Sequence, residues 1–293
     1  MPGIPRGRPS TADSARTGLL YVAIATALFS TSPVFIRWAA PLSPLEITFW
    51  RMVIAAVTVA IMARMRGERI ALDWADLPRF AVFGLVAALH FALYIASLSF
   101  TTVAHSLSLV YTAPAFVTVL SALLLRETIP VRKYGGIAVV MIGVAVLTGF
   151  EPSWSEGMAV GDLMAVGSAI CFGFYSVIGR AQRWRYSLLT YATGAYGMAA
   201  LWLLPVAALT WTGAYSLASV LSLLALGVFP LGIGHTLYNA ALRRLHPTYV
   251  NLIATQEVTG GVILGLLLLR EVPSLNAIVG AAITLLGIGL VLV

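Results

Sequence analysis

A single carboxylate stands in the middle of an apolar stretch of the chain. Glu257 lies near the centre of the run Pro247–Leu269, and Gln256 is beside it. Ionisable groups at the depth of a membrane span are costly, and they normally face a cavity or a charged or polar partner. Glu257 can therefore bind an ammonium group of a substrate or carry a proton. The alternative is a structural hydrogen bond to a neighbouring helix, for example from Arg51.

Two other apolar runs each carry histidine and tyrosine on one face. In the first, His90 and Tyr94 are four residues apart, which places them on the same side of a helix. In the second, His235 precedes Tyr238 by three residues and Asn239 by four. Imidazole and phenol form a wall that accepts an aromatic side chain by stacking and hydrogen bonding. Hydrogen bonds between helices, or tyrosines at the membrane interface, are the alternative.

Further residues complete the candidate substrate site. Tyr111 and Asn251 are polar groups in apolar runs. Pro114 frees a backbone carbonyl and can kink its helix, which predicts a hinge for a gate. Phe29 and Phe172 can supply aromatic lining, although plain helix packing is the favoured interpretation. The candidate substrate-binding residues are His90, Tyr94, Tyr111, His235, Tyr238, Asn239, Asn251, Gln256 and Glu257.

The other charges in or beside the apolar runs are predicted to be structural. Glu46 precedes Arg51 by five residues, and their pairing inside the membrane would fix the helix bundle. Two Arg-Glu dipeptides lie at helix ends, where they would anchor or cap the helix. The predicted structural ion-pair residues are Glu46, Arg51, Arg126, Glu127, Arg270 and Glu271.

The sequence carries no motif of a common enzyme family. It contains no HExxH, Walker or GxSxG pattern. Cys171 is the only cysteine, so an intrachain disulfide and a Cys-rich metal site are excluded. We expect no catalytic residue, no cofactor and no metal. The alternative of an intramembrane enzyme has no catalytic constellation to support it.

The composition is that of a membrane protein. Apolar residues make up 60% of the 293 residues and charged residues 10%, whereas a soluble domain has about 25% charged residues. A spanning helix needs about 20 mostly apolar residues. The sequence therefore predicts an all-α polytopic membrane protein with ten transmembrane helices. The ten runs are Thr17–Ile36, Pro44–Ala63, Leu77–Ser97, Val103–Leu125, Val131–Gly149, Met158–Gly179, Ser187–Leu209, Ser216–Tyr238, Pro247–Leu269 and Leu275–Val293.

Basic residues are concentrated on one side of this topology. With the N-terminus inside, every Lys or Arg except Arg37, Arg51 and Arg270 falls in a cytoplasmic segment. The positive-inside rule then predicts that both termini are cytoplasmic, with residues 1–16 as a tail. The net charge of +7 needs no nucleic-acid partner, because the basic loops would face anionic membrane lipid.

The two halves of the chain are related in sequence. Leu124–Glu127 recurs as Leu268–Glu271, 144 residues later. At the same offset of 144 residues, Gly136 matches Gly280 and Gly143 matches Gly287. The repeats are residues 17–149 and 158–293. Each holds five spans, an odd number, so the halves would be inverted in the membrane. Inverted repeats are typical of secondary transporters that work by alternating access. A channel with inverted repeats is the alternative.

The repeat resembles the EamA repeat of the drug/metabolite transporter superfamily. The resemblance covers nearly all of the chain, and it implies ten helices in two inverted halves and a role in export. Within the superfamily the chain is most similar to bacterial exporters of aromatic amino acids. It departs from many members in having Gln256-Glu257-Val258 where they carry a Glu-Pro pair. The matching features are Tyr94–Leu98, Tyr238–Leu242, Pro114, the Leu-Leu-Leu-Arg-Glu ending, Pro44, Trp50-Arg51 and Gly161-Asp162.

We therefore expect an inner-membrane secondary transporter that exports amino acids, mainly aromatic or large apolar ones, by alternating access. Its partners would be this small-molecule substrate and membrane lipid. Export or facilitated passage of other metabolites, drugs or nucleosides is the alternative. Because both halves are present in one chain, it can work as a monomer. The sequence leaves open whether protons drive transport.

Overall fold

Helices make up most of the described chain. The computed structural model describes residues 11–101, 103–148, 156–270 and 275–292, and these contain helices and no strand. Glu271 and most of the predicted 1–16 tail lie outside the described residues. The helices are α1 (Thr11–Phe29), α2 (Ser32–Trp38), α3 (Pro44–Met65), α4 (Leu77–Ser97), α5 (Val103–Val110), α6 (Ala113–Leu120), α7 (Tyr134–Thr148), α8 (Glu156–Ala181), α9 (Leu188–Leu209), α10 (Leu217–Leu226), α11 (Thr236–Leu242), α12 (Pro247–Ala254), α13 (Gln256–Leu264) and α14 (Leu275–Leu292).

Three π-helical segments extend these helices. Gly227–His235 joins α10 to α11, Ser121–Leu125 follows α6, and Gly265–Leu269 follows α13. The last two end in the same way, because Arg126 and Arg270 both have left-handed backbone conformations, with φ of 56° and 59°. The two Arg-Glu dipeptides of the sequence thus begin with matching left-handed helix caps.

Seven helical segments of the described chain are long and apolar enough to cross a membrane. The run predicted over Val103–Leu125 is instead divided between α5 and α6, and α7 has only 15 residues. Ala113–Leu125 and Ile278–Val291 are apolar but shorter. The seven segments are Asp13–Trp38, Pro44–Met65, Trp74–Ser97, Gly157–Trp184, Leu188–Leu209, Leu217–Leu242 and Pro247–Leu269.

The surface of the helix bundle is apolar where a soluble protein would be charged. Leu163 is 75% exposed, Leu201 63% and Val57 54%. Contiguous exposed apolar surface of this kind marks contact with another apolar phase. Together with the span lengths, this apolar exposure indicates an outer surface that contacts lipid.

Helices α3 and α9 begin in the same way and pack against each other. The Ser43 hydroxyl accepts a hydrogen bond from the backbone N–H of Glu46 at 3.2 Å. The Ser187 hydroxyl accepts one from the backbone N–H of Thr190, also at 3.2 Å. Each serine thus satisfies an N–H group that the first helical turn leaves free. These two caps are separated by the same offset as the sequence repeat.

Helices α7 and α14 cross through glycines. A Cβ on Gly143 would lie 2.6 Å from the backbone nitrogen of Thr284 and 2.9 Å from the Gly280 carbonyl oxygen. A Cβ on Gly136 would lie 3.1 Å from the carbonyl oxygen of Gly287. Gly136 therefore faces the counterpart of Gly143, and Gly143 faces the counterpart of Gly136. Such reciprocal pairing is the pattern that a two-fold axis between the helices produces.

Polar contacts join loops that alternating spans would place on one side of the membrane. Tyr186, between α8 and α9, donates to Asp76 at 2.6 Å, and Arg243, after α11, donates to the Tyr186 carbonyl oxygen at 2.9 Å. These residues lie in loops that include the one after the C-terminal end of α3. At the N-terminal end of α3, the Glu46 carboxylate accepts a hydrogen bond from the hydroxyl of Thr212, between α9 and α10, at 2.8 Å. The loops thus form two separate polar clusters.

Candidate functional site

A small cavity is lined by residues of α1, α3, α4, α5, α8 and α13, by the segment Gly227–His235, and by Tyr111 between α5 and α6. Its volume is about 20 Å³, which is room for a single water molecule. The bundle is therefore closed around this site. The lining residues are Phe29, Arg51, His90, Phe91, Tyr94, Leu107, Val110, Tyr111, Phe172, His235 and Glu257.

The cavity lies at interruptions in two helices. Between α5 and α6, Thr112 turns its hydroxyl back to the carbonyl of Leu109 at 2.7 Å. Between α12 and α13, Thr255 does the same to Leu252 at 2.6 Å. Such local bonds compete with the regular helix ladder and favour a break. Pro114 lies in the first turn of α6, where its missing N–H costs nothing.

Glu257 and Tyr111 meet in this cavity. The Tyr111 hydroxyl donates a hydrogen bond to the Glu257 carboxylate. Both side chains are buried, with 7% of Glu257 and 2% of Tyr111 exposed. Glu257 lies in the first turn of α13, where the helix dipole favours a negative charge. In the repeat, the position equivalent to Glu257 is Ala113.

Arg51 also faces the cavity, and this corrects its predicted pairing with Glu46. Its Nη1 donates to the Ser32 hydroxyl at 3.2 Å, and its guanidinium carbon lies 4.5 Å from the centre of the Phe91 ring. Its Nε has no hydrogen-bond partner within the described chain. Residues five apart lie about 140° apart around a helix, so Glu46 and Arg51 point in different directions.

Glu46 instead fastens the start of α3 to the loop before α10. Its carboxylate accepts hydrogen bonds from the backbone N–H of Thr212 at 3.1 Å and from the Tyr215 hydroxyl at 2.6 Å. Trp50 donates its indole N–H to the same Tyr215 oxygen at 2.9 Å. These bonds satisfy the buried carboxylate without a cation, so Glu46 has a structural role of a different kind.

The two cavity histidines are held differently. The Nδ1 of His90 lies 2.9 Å from the Ser168 hydroxyl and 3.1 Å from the Ser168 carbonyl oxygen. The His90 ring stacks on Phe172, with centroids 4.6 Å apart and planes 10° from parallel. His235 lies against Phe29, with ring centroids 4.2 Å apart, and its Nδ1 is buried without a partner in the described residues.

Tyr94 completes the polar lining. It is 4% exposed, and its hydroxyl is buried without a hydrogen-bond partner among the described residues. Five of the nine predicted substrate-binding residues therefore line this cavity. They are His90, Tyr94, Tyr111, His235 and Glu257.

Three other predicted residues lie behind the cavity wall, where they join helices. Asn251 donates to the Ser176 hydroxyl at 2.9 Å and to the Tyr238 hydroxyl at 2.5 Å. Tyr238 and Ser176 are themselves hydrogen-bonded at 2.7 Å. Asn239 donates to the Tyr175 hydroxyl at 2.6 Å. These bonds tie α8 to α11 and α12, so they support the wall that Phe172 forms.

Gln256 is placed beside the cavity residue Glu257 but is not itself in the lining. Its side-chain oxygen accepts a hydrogen bond from the Thr259 hydroxyl at 3.1 Å. The side chain is half-buried, and its amide nitrogen has no partner in the described chain. The contact with Thr259 is one turn further along α13, away from the helix break.

The predicted Arg-Glu pairs at the helix ends are organised through other partners. Glu127 forms ion pairs with Arg180 at 3.1 Å and with Arg183 at 3.3 Å. Arg126, next to it, has the left-handed conformation of a helix cap. Glu127 instead contacts Arg180 in α8 and Arg183 just after that helix. Arg270 repeats the cap, and its predicted partner Glu271 lies outside the described residues.

Sequence reasoning did not assign Arg51 and Phe91 to the site, and it favoured plain packing for Phe29 and Phe172. An arginine deep in an apolar run is itself the signal that could have placed Arg51 at a cavity. Single aromatic residues in apolar runs are too common to point anywhere. Within the described residues, no group of three or more His, Cys, Asp or Glu side chains could hold a metal ion.

Comparison with known proteins decides the family. The profile of the EamA-like transporter family matches residues 16–149 and again residues 159–293. The chain belongs to the EamA-like transporter family. This EamA-like transporter is 27% identical over 255 residues to an uncharacterized transporter of Archaeoglobus fulgidus, a match that covers 85% of the chain and 89% of that protein. It is thus a multi-pass membrane transporter.

Two further similarities extend the comparison. Over 162 residues the EamA-like transporter is 30% identical to the pseudopaline exporter CntI of Pseudomonas aeruginosa. This alignment covers 54% of the chain and 56% of CntI. A protein of known crystal structure superimposes with a TM-score of 0.80 at 18% identity, over 96% of both chains. This structural match establishes that the two proteins share a fold.

Proposed function

We propose that this transporter exports small zwitterions, namely amino acids with aromatic or large apolar side chains, by alternating access across the bacterial inner membrane. The observation that carries the proposal is the presence of Arg51 and Glu257 in one buried cavity. A guanidinium binds a carboxylate through two parallel hydrogen bonds. A carboxylate binds an ammonium group. A zwitterion thus supplies a partner to each buried charge, and both charges are costly without one.

The rest of the cavity suits the side chain of such a substrate. Phe29, Phe91 and Phe172 supply apolar ring faces. Aromatic rings pack well in edge-to-face or offset arrangements. The aromatic rings would then contact the side chain of a large apolar amino acid, and the two opposite charges would bind its carboxylate and ammonium groups.

The alternating-access part of the proposal rests on signs of a repeated, inverted architecture. The reciprocal glycine contacts between α7 and α14, the paired serine caps of α3 and α9 and the paired left-handed caps after α6 and α13 all occur at one offset. We propose ten spans in two inverted repeats, residues 17–149 and 158–293, with both termini cytoplasmic. The two separate clusters of loop contacts fit this alternation.

A cavity with room for one water molecule cannot admit an amino acid, so the transport cycle requires it to widen. The interruptions at Thr112 and Thr255 are where the helices can bend without breaking a full ladder of hydrogen bonds. Discontinuous helices at the middle of the membrane form the substrate site in many secondary transporters. We propose that bending at these two points, with Pro114 as a hinge, opens the cavity to each side in turn.

The test is counterflow in proteoliposomes loaded with unlabelled amino acid. Labelled phenylalanine, tryptophan and methionine are the cargoes, and threonine and a nucleoside are the negative controls. Saturable, stereoselective exchange of the large amino acids is expected. Glu257→Gln should lower it at least about 10-fold, since a charge-assisted hydrogen bond is lost, while the variant still purifies as folded protein. Full activity of Glu257→Gln would remove this carboxylate from the mechanism. Repeating the assay with an imposed pH gradient shows whether protons are coupled.

Export of other metabolites is a second candidate, favoured by the similarity to the pseudopaline exporter CntI. The same two charges can hold a larger molecule that carries both a carboxylate and an amine. Broad competition without stereoselectivity, and no saturable flux of the large amino acids, would favour this candidate over the first.

A further inference from the structure

The hydrogen bonds around His90 fix which ring nitrogen carries its hydrogen. The Ser168 hydroxyl donates its single hydrogen to the His90 carbonyl oxygen at 2.8 Å. Toward His90 Nδ1, 2.9 Å away, that hydroxyl oxygen can then only accept. The Ser168 carbonyl oxygen, 3.1 Å from the same Nδ1, also only accepts. Nδ1 must therefore be the donor.

The other ring nitrogen, Nε2, is then a free acceptor. Arg51 lines the same buried cavity as His90, so a second cation on the ring would be repelled. In the neutral ring with hydrogen on Nδ1, Nε2 carries a lone pair. No hydrogen bond to Nε2 is formed by the described residues, and Nε2 is the only polar ring atom that His90 can offer to the cavity it lines.

We propose that His90 selects substrates whose aromatic ring carries an N–H or O–H donor, namely indole and phenol side chains. This rests on the proposed function, because it assumes an amino acid in the Arg51–Glu257 cavity. Phe172 holds the His90 ring by stacking at 4.6 Å, and Ser168 fixes its orientation, so Ser168 is a positioning residue. A substrate donor that reaches Nε2 gains a hydrogen bond. An analogue without the donor leaves Nε2 unpaired in a buried site, which is costly.

The experiment measures competition against labelled tryptophan counterflow in proteoliposomes. The probes are tryptophan and its isostere β-(3-benzothienyl)alanine, in which sulfur replaces the indole N–H, and also tyrosine and phenylalanine. The wild-type protein is expected to prefer each donor-bearing member of a pair by about 10-fold. His90→Phe should abolish both preferences, measured as the ratio of competition within each pair. Ser168→Ala should reduce them, because the ring is then less firmly oriented.

His246→Asn is the control, since it removes an imidazole that lies outside the cavity lining and should keep both preferences. If the wild-type protein exchanges tryptophan but does not distinguish it from the isostere, the role of His90 is overturned and the proposed function stands. If the preferences survive in His90→Phe, or disappear in His246→Asn alone, the assignment to His90 is overturned. If no large amino acid is exchanged by the wild-type protein, both proposals fail together. Should His90→Phe not fold, the ratio measured for Ser168→Ala decides, and an unchanged ratio counts against the proposal.

Discussion

The Tyr111 hydroxyl donates to the Glu257 carboxylate, and each residue stands at an interruption of its helix. Tyr111 follows the last residue of α5, and Glu257 is the second residue of α13. One hydrogen bond thus joins two places where the backbone can bend. A substrate ammonium that binds Glu257 would share the carboxylate with Tyr111, because a carboxylate accepts several hydrogen bonds, and cargo binding would then be linked to both helix breaks.

This hydrogen bond should be measurable as stability. In Tyr111→Phe the buried Glu257 carboxylate loses its donor, and we expect the free energy of unfolding to fall by about 1–3 kcal/mol. Tyr94→Phe is the control, because the Tyr94 hydroxyl has no partner in the described chain. The control should leave stability unchanged or raise it, because it removes a buried hydroxyl that has no partner among the described residues. Thermal unfolding in detergent compares the two variants, and equal effects would contradict a special role for the Tyr111 bond.

Arg51 should recognise the carboxylate of the cargo. The wild-type protein is expected to bind tryptophan at least about 10-fold better than tryptamine, which lacks the carboxylate. Arg51→Gln should weaken the binding of tryptophan but not that of tryptamine, which would reduce this ratio to near one. Arg51→Lys keeps the charge but not the fork of donors, so an intermediate ratio is expected. Competition in the counterflow assay gives each ratio, and a variant that weakens both ligands equally would indicate a purely structural arginine.

The α7–α14 crossing should tolerate no side chain at its glycines. In Gly143→Ala the new Cβ would meet the Thr284 backbone nitrogen at 2.6 Å, and backbone atoms cannot move aside as a flexible side chain can. We expect destabilisation by about 1–3 kcal/mol. Gly135→Ala and Gly289→Ala, in the same two helices, are matched controls because no atom lies within 4 Å of the added Cβ. They should be neutral or slightly stabilising, since alanine favours helix by about 1 kcal/mol. Comparable melting temperatures for all three variants would contradict this packing.

Protonation of His246 should destabilise the loop before α12. Its Nδ1 accepts from the Thr248 backbone N–H at 3.2 Å, and its Nε2 lies 3.3 Å from the carbonyl oxygen of Glu127. Both contacts suit a neutral ring. Burial is the largest cause that lowers the pKa of His246, and the hydrogen bond to Glu127 opposes it.

The sign of the pH effect follows from this lowered pKa. The unfolded chain takes up the proton near pH 6.5, while the folded chain resists it until a lower pH. The contribution of His246 to stability is therefore complete above pH 6.5 and is lost as the pH falls through the folded pKa. His246→Asn keeps a capping oxygen but does not titrate. Unfolding measured between pH 5 and 8 should show a shallower acid-side decline for His246→Asn than for the wild-type protein.

The sequence predicts the membrane architecture more completely than it predicts the residues of the site. Long apolar runs predict helices because no other element satisfies its backbone in lipid, and Glu257 stands out because a carboxylate there is costly. The partners of polar groups depend on how helices rotate against each other, which periodicity in one run does not fix. Asn251 and Tyr238 therefore bond to Ser176 behind the wall, while Arg51 turns away from Glu46 toward the cavity. The break at Thr112 lies beside Pro114, whereas the break at Thr255 has no proline to reveal it.

The two buried charges stand on different copies of the repeat. Where one copy has Arg51 the other has Ala195, and where one has Glu257 the other has Ala113. A cage of true two-fold symmetry would hold a zwitterion equally well in two opposed orientations. In the repeat proposed above, the two copies differ at these two positions, so the two orientations of the zwitterion are no longer equivalent. The cargo would then keep one polarity with respect to the membrane normal on every passage, so that the same end of the molecule always leaves first.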